Sequence, residues 1–340
     1  MRKIKWGILG TAGIAKSCTI PGMLKSENCE LSAIAGRSKN KVEDYKNTFG
    51  IKEGYYDDAE STGYEKLINN PEIEAVYVAL PNNIHKEWVI KCLQGGKHVL
   101  CEKPMALSYS EAKEMFDEAK KNKVILMEAY AYLHNPYMEA LKKDIASGII
   151  GEIDYIDTAF LTQGYKEDFR LHRELGGGMV YDLGCYCTTF ILSFTDAPVE
   201  YVMGNAEFTD KGVDFFTGAL IKFKNGMRAS FNVGMIFGSE SDSRYDRTFI
   251  HGSKGAITSP VKYNEEGQLS YTVSTKEGDI LRTVNSESNY ALEVTQMGNA
   301  ILGLEKQHIT EEFSLRNARL IDLILEKIGY NEASGQTPHK

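Results

Sequence analysis

Glu102 and Lys103 stand side by side at the carboxyl end of an apolar, strand-like run. Pro104 follows, and a residue that precedes proline is held extended, so the Lys103 ammonium projects from a fixed stem. In an open α/β sheet, ligands bind at the carboxyl ends of the strands, where a cation can stabilise negative charge on a reacting oxygen. Most lysines are solvated surface charges, however, and the spacing alone leaves both roles open for Lys103.

A glycine run leads into a second group of reactive side chains. Residues 176–178 are all glycine, and Asp182 and Tyr186 follow in a helical pattern. Because residues four apart share one face of an α-helix, we expect the acid and the phenol to lie together. Near a cationic lysine, which favours the phenolate, such a pair is suited to move a proton onto or off a hydroxyl. The alternative is that Tyr186 is a core aromatic residue and Asp182 a structural hydrogen-bond acceptor.

The first strand-like run ends in a loop that reads Gly10-Thr11-Ala12-Gly13-Ile14-Ala15, and a helical pattern follows at once. A glycine at the end of a strand permits a tight turn, and the free N–H groups of the next helix can hold a pyrophosphate. Alanine takes the second glycine position of the usual G-x-G-x-x-G/A pattern, which is a departure from it. The position of the loop nevertheless predicts a dinucleotide site whose contacts are Gly10, Thr11, Ala12, Gly13 and Ile14.

The end of the second predicted strand indicates which nucleotide binds. Sites for NAD usually carry an acidic residue there, which binds the ribose 2′-OH. This chain has Ala35-Gly36-Arg37-Ser38 instead. Arg37 can pair with a 2′-phosphate and Ser38 can donate to it, so we expect NADP(H), with NAD(H) as the alternative. Without such a phosphate, Arg37 would be a solvated arginine and Ser38 the cap of the following helix.

The elements that position these residues follow from the apolar pattern. Up to about residue 130, short apolar runs alternate with amphipathic stretches, as in a doubly wound parallel α/β sheet. From about residue 151, β-branched and aromatic runs joined by tight connectors are typical of an antiparallel meander. We predict a Rossmann-type dinucleotide-binding domain at 1–130, an α+β domain with a large, mostly antiparallel open sheet at 131–330, and a flexible tail at 331–340.

The individual elements can be predicted from the same pattern. The predicted strands are 4–9, 31–35, 75–80, 98–101 and 124–127 in the first domain, and 152–163, 200–208, 215–224, 228–237, 247–251 and 269–274 in the second. Helical patterns at 179–194, 291–304 and 314–327 are expected to flank the strands of the second domain.

Composition narrows the class of protein. The chain has 340 residues, of which 42% are hydrophobic and 25% are charged, which is typical of a globular protein and not of a disordered one. No apolar run approaches the ~18 residues of a membrane span, and the first strand-like run begins at Ile4, so we expect neither a transmembrane segment nor a signal peptide. The net charge of −8 disfavours binding to nucleic acid or anionic lipid.

Cysteine and histidine usage indicates a reducing cytoplasm and no metal. The six cysteines form no CxxC pair, and Cys185 and Cys187 are most simply small apolar helix residues. His85, His134 and His172 are scattered and lack metal-ligand spacing with a third ligand, so we expect no metal site.

The order of these motifs resembles that of the glucose-fructose oxidoreductase, inositol dehydrogenase and MocA (Gfo/Idh/MocA) family of NAD(P)-dependent oxidoreductases. The resemblance covers nearly the whole chain, and the combination of its segments is more specific than any one of them. The segments are Trp6-Gly7-Ile8-Leu9-Gly10-Thr11-Ala12, Pro81-Asn82-Asn83-Ile84-His85, Gly96-Lys97-His98-Val99-Leu100-Cys101-Glu102-Lys103-Pro104, Glu128-Ala129-Tyr130, His134-Asn135-Pro136, Phe169-Arg170-Leu171, Glu174-Leu175-Gly176-Gly177-Gly178 and Asp182-Leu183-Gly184-Cys185-Tyr186.

Many members of that family have histidine where this chain has Tyr186. Tyrosine resembles the branch that contains glucose-fructose oxidoreductase, dimeric dihydrodiol dehydrogenase and NADP-dependent xylose dehydrogenase. The resemblance implies that Lys103 and Tyr186 are the catalytic, proton-handling pair and that Asp182 contacts substrate or tunes the pair. It also implies that the nicotinamide side of the cofactor is contacted by Pro81, Asn82, His85, Glu102 and Lys103.

The resemblance implies hydride transfer between NADP(H) and a secondary alcohol or carbonyl of a sugar, cyclitol or related polyol. Arg170 and His172 precede the glycine run and are candidate substrate contacts or ordinary loop residues. Pairing of subunits through the open sheet of the second domain would give a homodimer or a higher homo-oligomer. Two other functions stay open: an enzyme that uses bound NAD(P) transiently for oxidation, elimination or hydrolysis, and reduction, and a non-catalytic NADP sensor, which would be expected to lose the Lys103/Tyr186 pair.

Overall fold

Six short strands form a parallel sheet in the computed structural model, which describes residues 2–164, 168–238 and 243–332. The strands are β1 (Ile4–Leu9), β2 (Cys29–Gly36), β3 (Glu53–Tyr56), β4 (Ala75–Val78), β5 (His98–Glu102) and β6 (Leu126–Ala129). Their order is β3-β2-β1-β4-β5-β6. Most residues of the central strands are apolar and buried, as in a sheet that is covered on both faces. The order reverses between β1 and β4, which is where an open α/β sheet binds its ligand.

The structure describes nine α-helices, and some of them begin at a capping side chain. They are α1 (Ile20–Lys25), α2 (Lys39–Phe49), α3 (Gly63–Ile68), α4 (His85–Gln94), α5 (Tyr109–Asn122), α6 (Pro136–Ala146), α7 (Cys185–Leu192), α8 (Asn289–Ile301) and α9 (Glu311–Lys327). Thr62 and Glu65 form a capping box at α3, Ser108 caps α5, and Asn135 caps α6, which has proline at its first position.

The second sheet has eight strands in the order β14-β13-β12-β11-β7-β10-β9-β8. The strands are β7 (Ile153–Gln163), β8 (Val199–Phe208), β9 (Asp214–Phe223), β10 (Arg228–Phe237), β11 (Arg244–Gly252), β12 (Gly255–Ser259), β13 (Gly267–Thr275) and β14 (Gly278–Ser286). The pairings are antiparallel except that β10 runs parallel to β7. Buried and half-exposed residues alternate along β9 and β10, so one face of this sheet is buried and the other is open.

The chain divides into two units. The first unit contains the residues up to His134 together with Glu287–Leu315, and the second contains Asn135–Ser286 and the residues from Arg316 onward. Within the first unit the Asn28 side chain donates to the Thr295 carbonyl and to Asn299, at 2.8 Å each, and so joins the segment before β2 to α8. Among the residues that the structure describes, no helix combines the length and the apolar character of a membrane span.

The predicted fold class is confirmed, and the differences concern particular elements. The pattern did not predict β3, β12 or β14, of which β3 and β14 are mostly half-buried or exposed. The helical pattern at 291–304 was expected beside the second sheet but corresponds to α8, which lies in the first unit. A single boundary near residue 130 therefore does not describe the division of this chain. Residues 333–340 of the predicted tail lie outside the described residues.

Candidate active site

The turn after β1 has the backbone shape that a pyrophosphate site requires. Gly10 has φ of 107°, and a Cβ there would lie 2.2 Å from the carbonyl oxygen of Ala79, so only glycine fits. The Tyr45 hydroxyl holds the loop by donating to the carbonyl oxygens of Thr11 and Ala12, at 3.1 and 3.0 Å. A Cβ on Gly13 would meet no heavy atom within 4 Å, so space is open at the start of the helix. The loop therefore fits the phosphates of a dinucleotide.

Arg37 and Ser38 lie at the end of β2, where the sequence predicts the residues that distinguish NADP(H) from NAD(H). Both residues are exposed. Burial raises the pKa of the Tyr64 phenol and the positive charge of Arg37 opposes that shift, so Arg37 lies near Tyr64. Ser38 stands at the N-cap position of α2, but its side chain accepts no capping hydrogen bond. The Ser38 hydroxyl is thus not used for capping, which was the alternative to a phosphate contact.

His85 joins the loop after β4 to the loop after β5. The residue is fully buried, with Nδ1 3.0 Å from the Pro104 carbonyl oxygen and Nε2 2.8 Å from the Leu80 carbonyl oxygen. Burial lowers the pKa of the imidazole, and the nearby Lys103 charge acts in the same direction. The structure therefore gives His85 a role in fixing these loops, and its contact with a cofactor stays a prediction. Pro81 and Asn82 precede it in the same loop, with Asn82 buried.

A chain of hydrogen bonds ends at Lys103. The Glu102 carboxylate accepts the Tyr77 hydroxyl on Oε1 and the Lys103 backbone N–H on Oε2, the latter at 3.2 Å. The Tyr77 oxygen in turn accepts from Thr19 at 2.9 Å. Thr19 ends a π-helical segment, Ala15–Thr19, directly behind the phosphate loop. The π-helical segment, β4 and β5 therefore fix the backbone from which the half-buried Lys103 side chain projects.

Two further carboxyl groups, Glu128 and Glu293, are buried close to Glu102, and the sequence pattern predicts a role for neither. Burial raises the pKa of Glu128 to about 7, and the Glu102 charge adds to the shift. Glu293, in α8, has its pKa raised well above the ordinary value by burial first and by Glu102 second. Its Oε1 has no hydrogen-bond partner in the part of the chain that the structure describes. Burial beside the Glu102 charge therefore favours the neutral form of Glu293.

Asp182 is held by an arginine in the second unit. Arg170 donates from Nε to Asp182 at 2.9 Å and from Nη1 to Asp168 at 2.7 Å. His172, the other candidate substrate contact, has Nδ1 3.1 Å from a Glu174 carboxylate oxygen, and its side chain is 30% exposed. Both candidates are thus partly engaged within the protein, and contact with a substrate stays a prediction.

Asp214 anchors the helix that leads from Asp182 to Tyr186, and it was not identified from the sequence. Its Oδ2 accepts the Val180 N–H at 2.9 Å and the Thr217 hydroxyl at 2.7 Å. Gly178 has φ of 109°, and a Cβ there would lie 2.2 Å from Asp214 Oδ1, which explains the third glycine of the run. Burial raises the pKa of Asp214 to about 7. Its only sequence signal is an acidic residue at the start of an apolar strand.

The backbone from Val180 to Gly184 is π-helical and α7 begins at Cys185. The expected α-helical face with four-residue spacing therefore does not describe Asp182 and Tyr186, because π-helical hydrogen bonds span five residues. Such segments are frequent at functional sites. The Tyr186 ring is buried beside Phe160 and Tyr263, with centroids 5.6 and 5.4 Å away, while its hydroxyl accepts from a polar side chain, Asn264, at 3.2 Å.

The predicted catalytic residues come from both units. Lys103 and Glu102 belong to the first unit, whereas Asp182 and Tyr186 belong to the second. The contact between Lys103 and Tyr186 stays a prediction. Within the described ranges, no group of three or more His, Cys, Asp and Glu residues could hold a metal ion.

Comparison with known proteins identifies related sequences over most of the chain. Residues 4–130 match an oxidoreductase family with an NAD-binding Rossmann fold (GFO/IDH/MocA), and residues 138–258 match the C-terminal domain of the same family. D-xylose 1-dehydrogenase (NADP(+)) 2 of Haloferax volcanii is 29% identical over 324 residues, which cover 94% of this chain and 96% of the relative. The dTDP-3,4-didehydro-2,6-dideoxy-alpha-D-glucose 3-reductase of Saccharopolyspora spinosa is 31% identical over 260 residues, 76% of this chain and 75% of the relative.

A solved structure shares the fold of the whole chain. It is a 3-ketoreductase from Actinomadura kijaniata in complex with NADP and TDP-benzene. The TM-score is 0.87 and the identity 26%, and the match covers 96% of this chain and 98% of the other. The two-sheet architecture described above is thus that of an experimentally determined reductase.

Proposed function

Because the chain belongs to the GFO/IDH/MocA family of NAD(P)-dependent oxidoreductases, we propose that it transfers hydride between NADP(H) and a secondary alcohol or carbonyl of a sugar, cyclitol or related polyol. The position of Lys103 is the observation that most supports this reaction. It follows the carboxyl end of β5, on a backbone held by Glu102, in the sheet whose first loop fits a dinucleotide.

Three observations support NADP(H) as the cofactor. Arg37 and Ser38 are exposed at the end of β2, and no acidic side chain occupies the segment Ala35-Gly36-Arg37-Ser38. One relative is described as an NADP(+)-dependent dehydrogenase, and the related 3-ketoreductase was solved with NADP. Gly10, Thr11, Ala12, Gly13 and Ile14 would hold the phosphates, and Pro81, Asn82, His85, Glu102 and Lys103 would lie toward the nicotinamide.

The protein's own residues manage the proton and the charge. The cofactor, when bound, supplies or accepts the hydride. In the reducing direction Tyr186 gives its proton to the carbonyl oxygen, and Lys103 stabilises the negative charge that develops on that oxygen. Single donors of this kind have been worth about 3–4 kcal/mol elsewhere. In the oxidising direction Tyr186 as its phenolate, or Lys103 directly as its neutral amine, takes the hydroxyl proton. Asp182, oriented by Arg170, contacts the substrate or tunes the pair.

Subunits are proposed to pair through the open face of the second sheet. The exposed side chains there include Tyr201, Met203 and Tyr245, which are 43%, 59% and 44% exposed. Apolar residues of this size on one open sheet favour burial against a second copy, in a homodimer or higher homo-oligomer. Light scattering that gives the mass of a single chain at micromolar concentration would contradict this assembly.

A substrate panel followed by NADPH absorbance tests the function. Aldoses, cyclitols, keto-sugars and dihydrodiols are offered with NADP(H) to the wild type, Lys103→Met and Tyr186→Phe. The control is Lys91→Met, which removes a half-exposed lysine whose ammonium is 2.8 Å from Glu87. We expect Lys103→Met to lower kcat by about 10²–10³-fold while NADPH, followed by its fluorescence, still binds.

Near-normal turnover in Lys103→Met would refute the role of Lys103. Conversion of a sugar without net NADPH change would instead indicate transient oxidation by a retained cofactor.

A further inference from the structure

The loop after β12 brings the side chain of Asn264 to the hydroxyl of Tyr186. Its Nδ2 donates to the phenolic oxygen at 3.2 Å. We propose that Asn264 is a positioning residue that orients the Tyr186 hydroxyl and stabilises its phenolate. This role rests on the proposed function only in assigning the proton transfer to Tyr186. No local sequence pattern marks Asn264, which lies 78 residues from Tyr186 along the chain.

An ion pair on β11 fixes the residue that precedes Asn264. Asp246 accepts the backbone N–H of Tyr263 at 2.8 Å, and Arg244 donates to the Tyr263 carbonyl at 2.8 Å. Arg244 also donates from Nε to Asp246 at 2.8 Å, so both peptide groups of Tyr263 are tied to one charged pair. The Tyr263 hydroxyl lies 2.7 Å from Thr158 on β7. The loop therefore presents Asn264 next to a residue whose backbone is bonded to β11 and whose side chain is bonded to β7.

Asn264 itself is held in an unfavourable state. It has φ of 61°, one of two positive values among the non-glycine residues that the structure describes. Its Oδ1 is buried and has no hydrogen-bond partner within the described ranges. A left-handed backbone costs asparagine more than glycine, and a buried acceptor without a partner also lowers stability. Glycine would avoid both costs, so the amide contributes something other than folding stability, and its contact with Tyr186 is what glycine could not supply.

The contact has a defined chemical effect. A hydrogen bond donated to the phenolic oxygen is stronger when that oxygen is charged, so it stabilises the phenolate relative to the phenol. The phenolate is the form that Tyr186 takes after giving its proton to a carbonyl oxygen. The rings of Phe160 and Tyr263 restrict the Tyr186 ring, and Asn264 restricts its hydroxyl. Loss of the donor should therefore shift the titration of Tyr186 to higher pH.

Nuclear magnetic resonance can follow Tyr186 without any substrate. Tyrosine labelled with ¹³C at the hydroxyl-bearing ring carbon is incorporated into the full chain, and Tyr186→Phe assigns the signal. Asn264→Gly removes the amide while glycine accepts the positive φ without strain. Lys123→Gly is the matched control, because Lys123 has φ of 56° and lies in the first unit. Asn264→Asp replaces the donor by a negative charge.

We expect the titration midpoint of the Tyr186 phenol to rise by about 0.5–1 pH unit in Asn264→Gly, as the loss of one hydrogen bond predicts. It should rise further in Asn264→Asp, where a negative charge faces the phenolate. Lys123→Gly should leave it unchanged. A Tyr186 midpoint in Asn264→Gly equal to that of the wild type would overturn the inference. Urea unfolding of Asn264→Gly, expected at the wild-type midpoint or above it, confirms that the variant is folded.

Kinetics separate this inference from the proposed function. With any substrate that the panel identifies, Asn264→Gly should lower kcat several-fold with little change in KM, because the amide acts through Tyr186 and not on the substrate. If the wild type turns over no member of the panel, the proposed function fails. A shifted titration midpoint of Tyr186 would still support the effect of Asn264 on that hydroxyl. A lower kcat in Asn264→Gly with an unshifted Tyr186 titration midpoint would contradict the inference that Asn264 acts through Tyr186.

Discussion

Arg170 and Asp182 form a hydrogen-bonded ion pair, with the arginine Nε 2.9 Å from the carboxylate. The Asp182 side chain is only 9% exposed, so removal of its partner would leave a nearly buried charge uncompensated. Arg170 reaches Asp168 as well, through Nη1. The Arg170 guanidinium thus orients the Asp182 carboxylate within the π-helical segment that leads to Tyr186. The position of Arg170 before the glycine run did not predict this role.

Arg170→Lys tests whether Asp182 needs the planar guanidinium of Arg170 or only its positive charge. Lysine keeps the positive charge but has no planar fork to reach both carboxylates, so Asp182 loses its fixed direction. We expect kcat/KM to fall about tenfold, or about 1.4 kcal/mol, with NADPH affinity unchanged. Arg173→Lys is the matched control, since Arg173 lies over the Tyr330 ring, 4.7 Å from its centroid. Equal losses in the two variants, measured by steady-state kinetics, would contradict the role of Arg170.

Arg37→Ala tests the choice of nucleotide. A charged hydrogen bond to a phosphate contributes about 1.5–3 kcal/mol, so we expect NADPH to bind about tenfold to a hundredfold more weakly and NADH to be unaffected. Fluorescence titration with each nucleotide measures both constants. Arg228→Ala, at an exposed arginine of the second sheet, makes the same change in net charge and should alter neither. Wild-type protein that prefers NADH, or an Arg37 variant that loses both nucleotides equally, would show that Arg37 does not select the 2′-phosphate.

Asp214→Asn should change how stability depends on pH. Burial raises the pKa of Asp214 from its ordinary 3.8 to about 7, so the folded state binds more protons than the unfolded state between these values. The resulting stability is fully present below about pH 4 and is lost progressively as the pH rises to about 7. Between pH 6 and pH 8 the free energy of unfolding should fall by about 1.4 kcal/mol more in the wild type than in the variant.

The asparagine oxygen can still accept the Val180 N–H, so the variant retains the contact that Asp214 makes with the π-helical segment. Glu128, whose pKa is also raised to about 7, is present in both proteins and cancels in the comparison. Urea unfolding at pH 6, 7 and 8 provides the measurement. Stability curves that run parallel across this range would show that Asp214 is ionised at neutral pH in the folded protein.

The first sheet could be predicted from the sequence because a strand buried on both faces is a continuous apolar run. All four residues of β4 are buried, and the pattern identifies it directly. By contrast, β3 reads Glu-Gly-Tyr-Tyr and lies at the sheet edge, with no buried residue to mark it. The placement of α8 in the first unit depends on contacts such as that of Asn28 with Thr295, which no local pattern encodes.

The candidate site divides in the same way. The phosphate loop and Lys103 are identifiable because each combines a strand end with a local constraint, a glycine turn or a following proline. Asp214 and Asn264 are not, since each acts on a segment 34 or 78 residues away, Val180 and Tyr186 respectively. An aspartate at the start of a strand or an asparagine in a loop is common. The folded chain is what gives these two residues their partners.

Two glycines of the phosphate loop should respond differently to alanine. At Gly10 the added Cβ would lie 2.2 Å from the Ala79 carbonyl oxygen, on a backbone with φ of 107°. We therefore expect Gly10→Ala to lower the free energy of unfolding by more than about 3 kcal/mol and to abolish NADPH binding. At Gly13 a Cβ meets nothing within 4 Å, so the fold should be unaffected or slightly stabilised, because alanine favours a helix.

Gly13→Ala should nevertheless weaken NADPH binding about tenfold, since the new methyl group enters the space at the helix start where the pyrophosphate is proposed to approach the backbone. Urea unfolding and fluorescence titration of the two variants separate stability from affinity. Gly13→Ala that binds NADPH as tightly as the wild type would show that the pyrophosphate does not approach the backbone at Gly13.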